Sequence, residues 1–213
     1  MSEKSSKNTV LCEAMYFGPI PFFRELAKAE ILELEQKENY NKSSYRNRME
    51  IATSNGKLVL SIPLKKGKHQ GQPIRDVQID NHYHWKSQHW KSLLTAYSKS
   101  PYFEFYIHLF QPLFENSKTH KYLWDFNLDC LEQLLASLPI PIQIKPSRSF
   151  TQPDSEHLKD FRNKFLPKNI QQYNALQYEQ IFEDRTGFIP HLSILDLLFC
   201  KGPESVLILN QKA

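Results

Sequence analysis

The pattern of apolar and polar positions divides the chain into a strand-rich first part and a helix-rich second part. Val10-Leu11-Cys12 is a short apolar run, and Gly18-Pro19-Ile20-Pro21 punctuates it before Phe22 to Ala29, where a helix can start behind the proline. Ile31 to Glu35 reads as a second strand that leaves the core at Gln36. Tyr45 to Thr53 and Lys57 to Leu64 flank Asn55-Gly56, the dipeptide of a two-residue type I′ hairpin turn. That turn sets Ile51 opposite Leu60, Met49 opposite Ile62 and Asn47 opposite Leu64, so one side of the hairpin is apolar except at Asn47.

After residue 80 the period changes. Behind a possible cap at Asp80 or Asn81, Trp85 to Tyr97 carries Trp90, Leu93, Leu94 and Tyr97 at helical spacing, leaving Lys86 and Lys91 off the stripe. A second helix runs from Pro101 to about Asn116. A third, from about Thr119 to Leu138, is stopped by Pro139 and Pro141. Ile140 to Ile144 reads as a strand, and 147–174, rich in Pro, Asn, Asp and Gln, as a long loop or lid. Tyr178 to Glu183 and Ser193 to Phe199 read as short helices, and Ser205 to Leu209 packs by its apolar content. Strands before helices point to an α+β fold, with an N-terminal antiparallel or mixed sheet that includes the hairpin followed by a mainly helical half, rather than the alternating βαβ of a doubly wound sheet. The expected organisation is a disordered tail over 1–9 and one domain over 10–213, strand-rich over 10–80 and helix-rich over 81–213.

Composition narrows the class of function. The chain has 213 residues, 40% of them hydrophobic and 13% aromatic, enough for a real core. The absence of a long apolar segment predicts no membrane span and a cytoplasmic location. Three widely spaced cysteines make neither a disulfide framework nor a CxxC motif. A net charge of +4 suits an anionic small molecule better than nucleic acid. No GxGxxG, P-loop, GxSxG or HExxH motif is present, so no cofactor and no metal is predicted. No heptad array specifies an oligomer, and the oligomeric state stays open.

The chemistry-bearing residues gather near the open end of the hairpin. Arg46 and Arg48 leave one strand while Lys65, Lys66, Lys68 and His69 follow the other, a cationic group able to hold phosphate or carboxylate. The competing reading is a set of solvated edge charges that discourage sheet aggregation. Asn47 places an amide on the apolar face, where it must find a partner in backbone or ligand. His82, His84 and His89 follow Asp80 closely; their spacing disfavours a metal, which leaves His89 as a candidate acid or base against the alternative of a satisfied helix histidine. Tyr40, Tyr45 and Trp85 offer stacking surface unless they belong to the core. Cys12 reads as a buried thiol rather than a nucleophile.

Taken together, Tyr40-Asn41-Lys42-Ser43-Ser44-Tyr45-Arg46-Asn47-Arg48, Asn55-Gly56, Leu60-Ser61-Ile62-Pro63, Lys65-Lys66, Ile79-Asp80, Trp85, His89-Trp90-Lys91-Ser92, Ala96-Tyr97 and Ser100-Pro101-Tyr102-Phe103 resemble the WbqC-like family of bacterial proteins. Gly187-Phe188-Ile189-Pro190, the run from Leu192 to Phe199 and Gly202-Pro203-Glu204 resemble the ending of its Bacteroidetes-type branch. Many relatives open with Gln-Pro, an aromatic and a proline; here the stretch reads Glu13-Ala14-Met15-Tyr16-Phe17-Gly18-Pro19. The resemblance implies a setting in O-antigen and other surface polysaccharide synthesis, alongside nucleotide-sugar or aminosugar modification. The resulting expectation is a transferase that places an acyl or aminoacyl group on a nucleotide-linked sugar or similar phosphorylated precursor. Tyr40, Lys42, Arg46, Arg48, Lys65 and Trp85 would bind substrate, and His89 and Asn47 would orient or deprotonate the acceptor. The alternatives are a noncatalytic binding module for an anionic metabolite or nucleic acid, and an assembly protein.

Overall fold

The computed structural model describes residues 8–66, 71–115, 119–147, 149–151 and 158–211. Lys68 and His69 of the expected cationic group, and the first seven residues of the expected tail, lie outside the described residues. Thr9, the last residue of that tail, already begins a strand.

The near-continuous apolar run of β1 (Thr9–Cys12) is what a strand covered on both faces requires. It pairs in parallel with β2 (Ile31–Leu34), reached through the helix α1 (Ile20–Leu26), and on its other side with β6 (Leu158–Asp160). β5 (Gln143–Pro146) adds in parallel to the outer edge of β2, giving the order β5-β2-β1-β6. The hairpin β3 (Arg48–Thr53) and β4 (Gly56–Ser61) forms a separate antiparallel pair. The fold is therefore α+β as expected. Its larger sheet is parallel throughout and contains a βαβ unit, and two of its strands come from the second half of the chain.

The hairpin register differs from expectation. Thr53 pairs Gly56, Ile51 pairs Leu58 and Met49 pairs Leu60, a slip of two residues from the type I′ alignment. The turn is built on Ser54-Asn55, and only Gly56 takes a positive φ (99°), whereas type I′ needs two such residues. Because strand side chains alternate with period two, the slip keeps Met49, Ile51, Leu60 and Ile62 on one face, and all four are buried.

Helices α2 (Trp85–Tyr97), α3 (Phe103–Phe114) and α4 (Leu123–Ser137) pack in sequence beside the hairpin. The buried face of α2 is turned from the expected stripe: it runs through Trp85, Lys86, His89, Leu93, Ala96 and Tyr97, while Leu94 is partly exposed. Asn81 does not cap α2; its amide donates to the His120 carbonyl and accepts from the Trp85 indole. Within the expected loop 147–174 the structure places β6 and a short 3₁₀ turn, Ile170–Gln172. After the single turn α5 (Glu183–Thr186), α6 (Ile194–Lys201) is buried on all sides from Ile194 to Cys200, which marks a central helix. Its one carboxylate, Asp196, accepts from the hydroxyls of Tyr97 (2.6 Å) and Tyr178 (2.7 Å). Burial pushes that carboxyl up, to about 6. A last helix, α7 (Ser205–Leu209), closes the chain.

Candidate functional site

In a parallel sheet the loops that leave the carboxyl ends of the strands collect polar groups, and the crevice forms where strand order reverses. Here the reversal falls between β1 and β6. Glu13 follows β1, Glu35 and Glu38 follow β2, Ser147 follows β5, and Asp160, Arg162 and Asn163 end or follow β6. The segment from Glu38 to Arg48 crosses these ends, because Arg46 is drawn into them. Its guanidinium binds Glu38 through Nε (2.9 Å) and Nη2 (2.5 Å), approaches Glu13 at 3.4 Å and donates to Asn163 Oδ1 (3.1 Å). Arg46 and Glu13 are fully buried, and Glu38 nearly so. Burial pushes the Glu38 carboxyl up to about 7, against the pull of Arg46.

A second network stands at the edge of the same sheet. Glu35, also fully buried, accepts from Ser147 Oγ (2.8 Å), the Thr151 backbone N–H (2.9 Å) and Arg162 Nη1 (3.2 Å). Arg162 in turn pairs with Asp160 (2.7 Å) and lies 4.7 Å from the centre of the Phe150 ring.

The expected site residues separate by burial. Arg46 is taken by carboxylates and is not offered to a ligand, because burying its charge demands those partners. Asn47 finds protein partners: it accepts from the Tyr40 hydroxyl (3.0 Å) and donates to the Ile62 carbonyl (3.1 Å). Tyr40 and Trp85 are core residues, and Trp85 meets His89 and Phe126 edge-on. His89 is buried as well. Its Nδ1 lies 2.9 Å from the Tyr16 hydroxyl, and a hydrogen bond to the Ser61 backbone engages the ring further. Burial lowers the His89 pKa to about 4 and raises that of Tyr16 well above its ordinary value, so a neutral imidazole accepts from a protonated phenol. Lys42 and Lys65 are exposed. Lys65 lines a cavity of about 330 Å³ with Asn81, His82, Thr119 and Lys121.

Arg48 differs from Arg46, whose Nη1 is likewise buried without a hydrogen-bond partner but stands beside Glu13, in having no carboxylate partner among the described residues. It is half-buried at the start of β3, 6.0 Å from the Tyr45 ring centre, and its Nε is buried without a hydrogen-bond partner. Its charge and that of Arg46 both act on Tyr40.

Sequence reasoning missed Glu35, Glu38, Phe150, Asp160 and Arg162, and it named Glu13 and Phe17 only as parts of the departing first loop, without a role. Phe17 sits at φ 44° with its carbonyl accepting from Ser193 Oγ (2.7 Å). A bulky residue in the left-handed region persists only where its surroundings fix it. The available signal was the position of Glu13 and Glu35 directly after two apolar strands.

These features define a small protein whose parallel sheet carries a network of buried charges at its strand ends. The model of the WbqC-like protein family matches residues 14–165 and 157–208, and the chain belongs to that family. It is similar to the uncharacterized protein Rv1507c of Mycobacterium tuberculosis, 24% identical over 229 residues that cover 93% of this chain and 96% of that one. No solved structure matches it. No helix among the described residues is long and apolar enough to cross a membrane.

Proposed function

We propose that this WbqC-like protein binds a phosphorylated small molecule, of the nucleotide-linked sugar type, across the carboxyl ends of its parallel strands, and that it transfers an acyl or aminoacyl group onto it. The setting is the surface polysaccharide synthesis that the family resemblance implies. Arg48 carries the reading: a half-buried guanidinium without a carboxylate partner is costly until an anion reaches it, and a phosphate is the ligand its planar fork fits. Lys42, exposed on the same crossing segment, adds charge at the entrance.

The side chains favour direct transfer between bound donor and acceptor over a covalent enzyme intermediate. All three cysteines are buried, and burial pushes each thiol far up, away from the reactive thiolate. Holding the acceptor's hydroxyl or amine against the donor's acyl carbon would promote formation of the new ester or amide bond as the bond to the donor's carrier breaks, the carrier leaving with the acceptor's proton. His89 and Asn47 serve as positioning groups: His89 holds Tyr16 and with it the loop after β1, and Asn47 holds Tyr40 against the hairpin.

The same engagement of His89 favours a second reading, a binding module without catalysis. A thermal-shift screen against sugar phosphates, nucleotides and nucleotide sugars, run beside Arg48→Ala, tests the anion site. A ligand at 100 times its Kd stabilises by ~2.7 kcal/mol. The reading expects a shift that Arg48→Ala abolishes; a shift that survives in Arg48→Ala, or none across the panel, overturns it. Incubating a bound acceptor with acyl and aminoacyl donors then separates transferase from binding module.

A further inference from the structure

We infer that the chain carries a nucleoside subsite at the carboxyl ends of β2 and β5, with the base stacked on Phe150. The inference rests on the anion-binding reading above and assigns the class of its ligand.

A cavity of about 810 Å³ opens there, lined by Glu33, Lys145, Ser147, Ser149, Phe150 and Thr151. That volume is in the ~300–1,000 Å³ range of small-molecule sites. Phe150 is 51% exposed. An exposed aromatic side chain on an irregular segment ordinarily has no reason to be held in place, yet this one is held from two directions. Ser147 and Thr151, on either side of it, both donate to Glu35, and Thr151 Oγ1 also donates to Glu33 (2.7 Å). The Arg162 guanidinium, anchored on Glu35 and Asp160, lies against the ring. One buried carboxylate, Glu35, thus fixes both the backbone that carries the ring and the cation packed on it. A flat, preorganised π surface over a polar cavity suits a planar ring, and base stacking on an aromatic side chain is sequence-tolerant and strong.

The remaining lining groups match the rest of a nucleotide. Glu33, next to last in β2, is an acceptor suited to ribose hydroxyls, the role an acidic residue plays at the second strand of parallel-sheet nucleotide sites. Lys145 stands beside Glu33 in the β2–β5 register and supplies a cation for phosphate. The charge of Glu38, which binds Arg46, also acts on Arg162, so the cation beside Phe150 feels the Arg46 network. A nucleotide-linked ligand would lay its base on Phe150 and run its phosphates towards the segment carrying Arg48.

The test is calorimetric titration of AMP, GMP, CMP, UMP, ribose 5-phosphate and inorganic phosphate into the full chain and into Phe150→Ala, Phe150→Trp and Arg48→Ala. At least one nucleotide should bind about tenfold or more tightly than ribose 5-phosphate. Phe150→Ala should lose that increment, about 5- to 150-fold, with ribose 5-phosphate unchanged, and Phe150→Trp should retain it. Nucleotide affinity unaffected by Phe150→Ala, or equal to that of ribose 5-phosphate, overturns the subsite while the anion site stands if Arg48→Ala still weakens both. No binding by any of the six overturns both.

Discussion

Replacing Arg46 by alanine removes the arginine that stands between two buried carboxylates. It would leave Glu13 and Glu38 facing one another without its charge, while the Asn163 amide oxygen would keep only its Asn41 donor. Breaking a buried ion pair from one side costs ~3–5 kcal/mol. In a chain of this size that corresponds to a loss of about 6–20 °C in melting temperature. The cost must depend on pH, and its sign follows from Glu38. The carboxyl stands at about 7 in the folded chain against 4.5 in the unfolded one, so the folded state holds the extra proton between those values. Its contribution to stability is complete below about 4.5 and is lost as the pH rises through 7. Removing Arg46 takes away the hydrogen bond and the charge that pull this carboxyl down, so the proton is held to still higher pH. Arg46→Ala should therefore cost much more at pH 8 than at pH 5, and adding Glu38→Gln should recover part of the loss at pH 8. Urea unfolding of the three proteins at both pH values measures this. A loss under ~1 kcal/mol, or one equal at the two pH values, would refute the assignment of Arg46 to the protein interior and return it to the ligand.

Two further outcomes follow from the packing. His89, held neutral with a pKa near 4, must gain a proton on unfolding below its ordinary 6.5, so wild-type stability contains a contribution present above pH 6.5 and lost as the pH falls towards 4; His89→Gln should flatten that part of the profile, and an NMR titration of the His89 ring should place its midpoint well below 6.5. Gly202 ends α6 at φ 51° with the Tyr102 ring against the position of a Cβ, so Gly202→Ala should destabilise by ~1–3 kcal/mol in denaturant unfolding, and an unchanged midpoint would contradict the close approach.

Where the fold was legible, it was through periodicity. The bounds of α2 follow from its apolar spacing, and the buried face of the hairpin is readable even though the register is two residues off, because a slip of two preserves alternation. β6 was not legible: Leu158-Lys159-Asp160 is three residues long with one apolar side chain, and only the edge of β1 makes it a strand. The cationic group was legible as charge but not as partnership. Glu38 lies 8 residues from Arg46 and Asn163 lies 117 away, and only the folded strand ends bring them together. The tyrosines, Trp85 and His89 were ambiguous for the same reason, since helical spacing alone does not say which face is turned inward.

The parallel sheet also sets a timetable for synthesis. β1 leaves the ribosome well before β6, so one of its edges waits for that strand, and the Glu13 carboxylate waits for the Asn163 N–H, 150 residues further along. At ~5–20 residues per second that interval is about 7–30 s. Throughout it the apolar strand Val10-Leu11-Cys12 has an unpaired edge that any other nascent chain could match. The polar crossing segment with Arg46 emerges early in that interval, so Glu13 and Glu38 can acquire their arginine long before the sheet is complete.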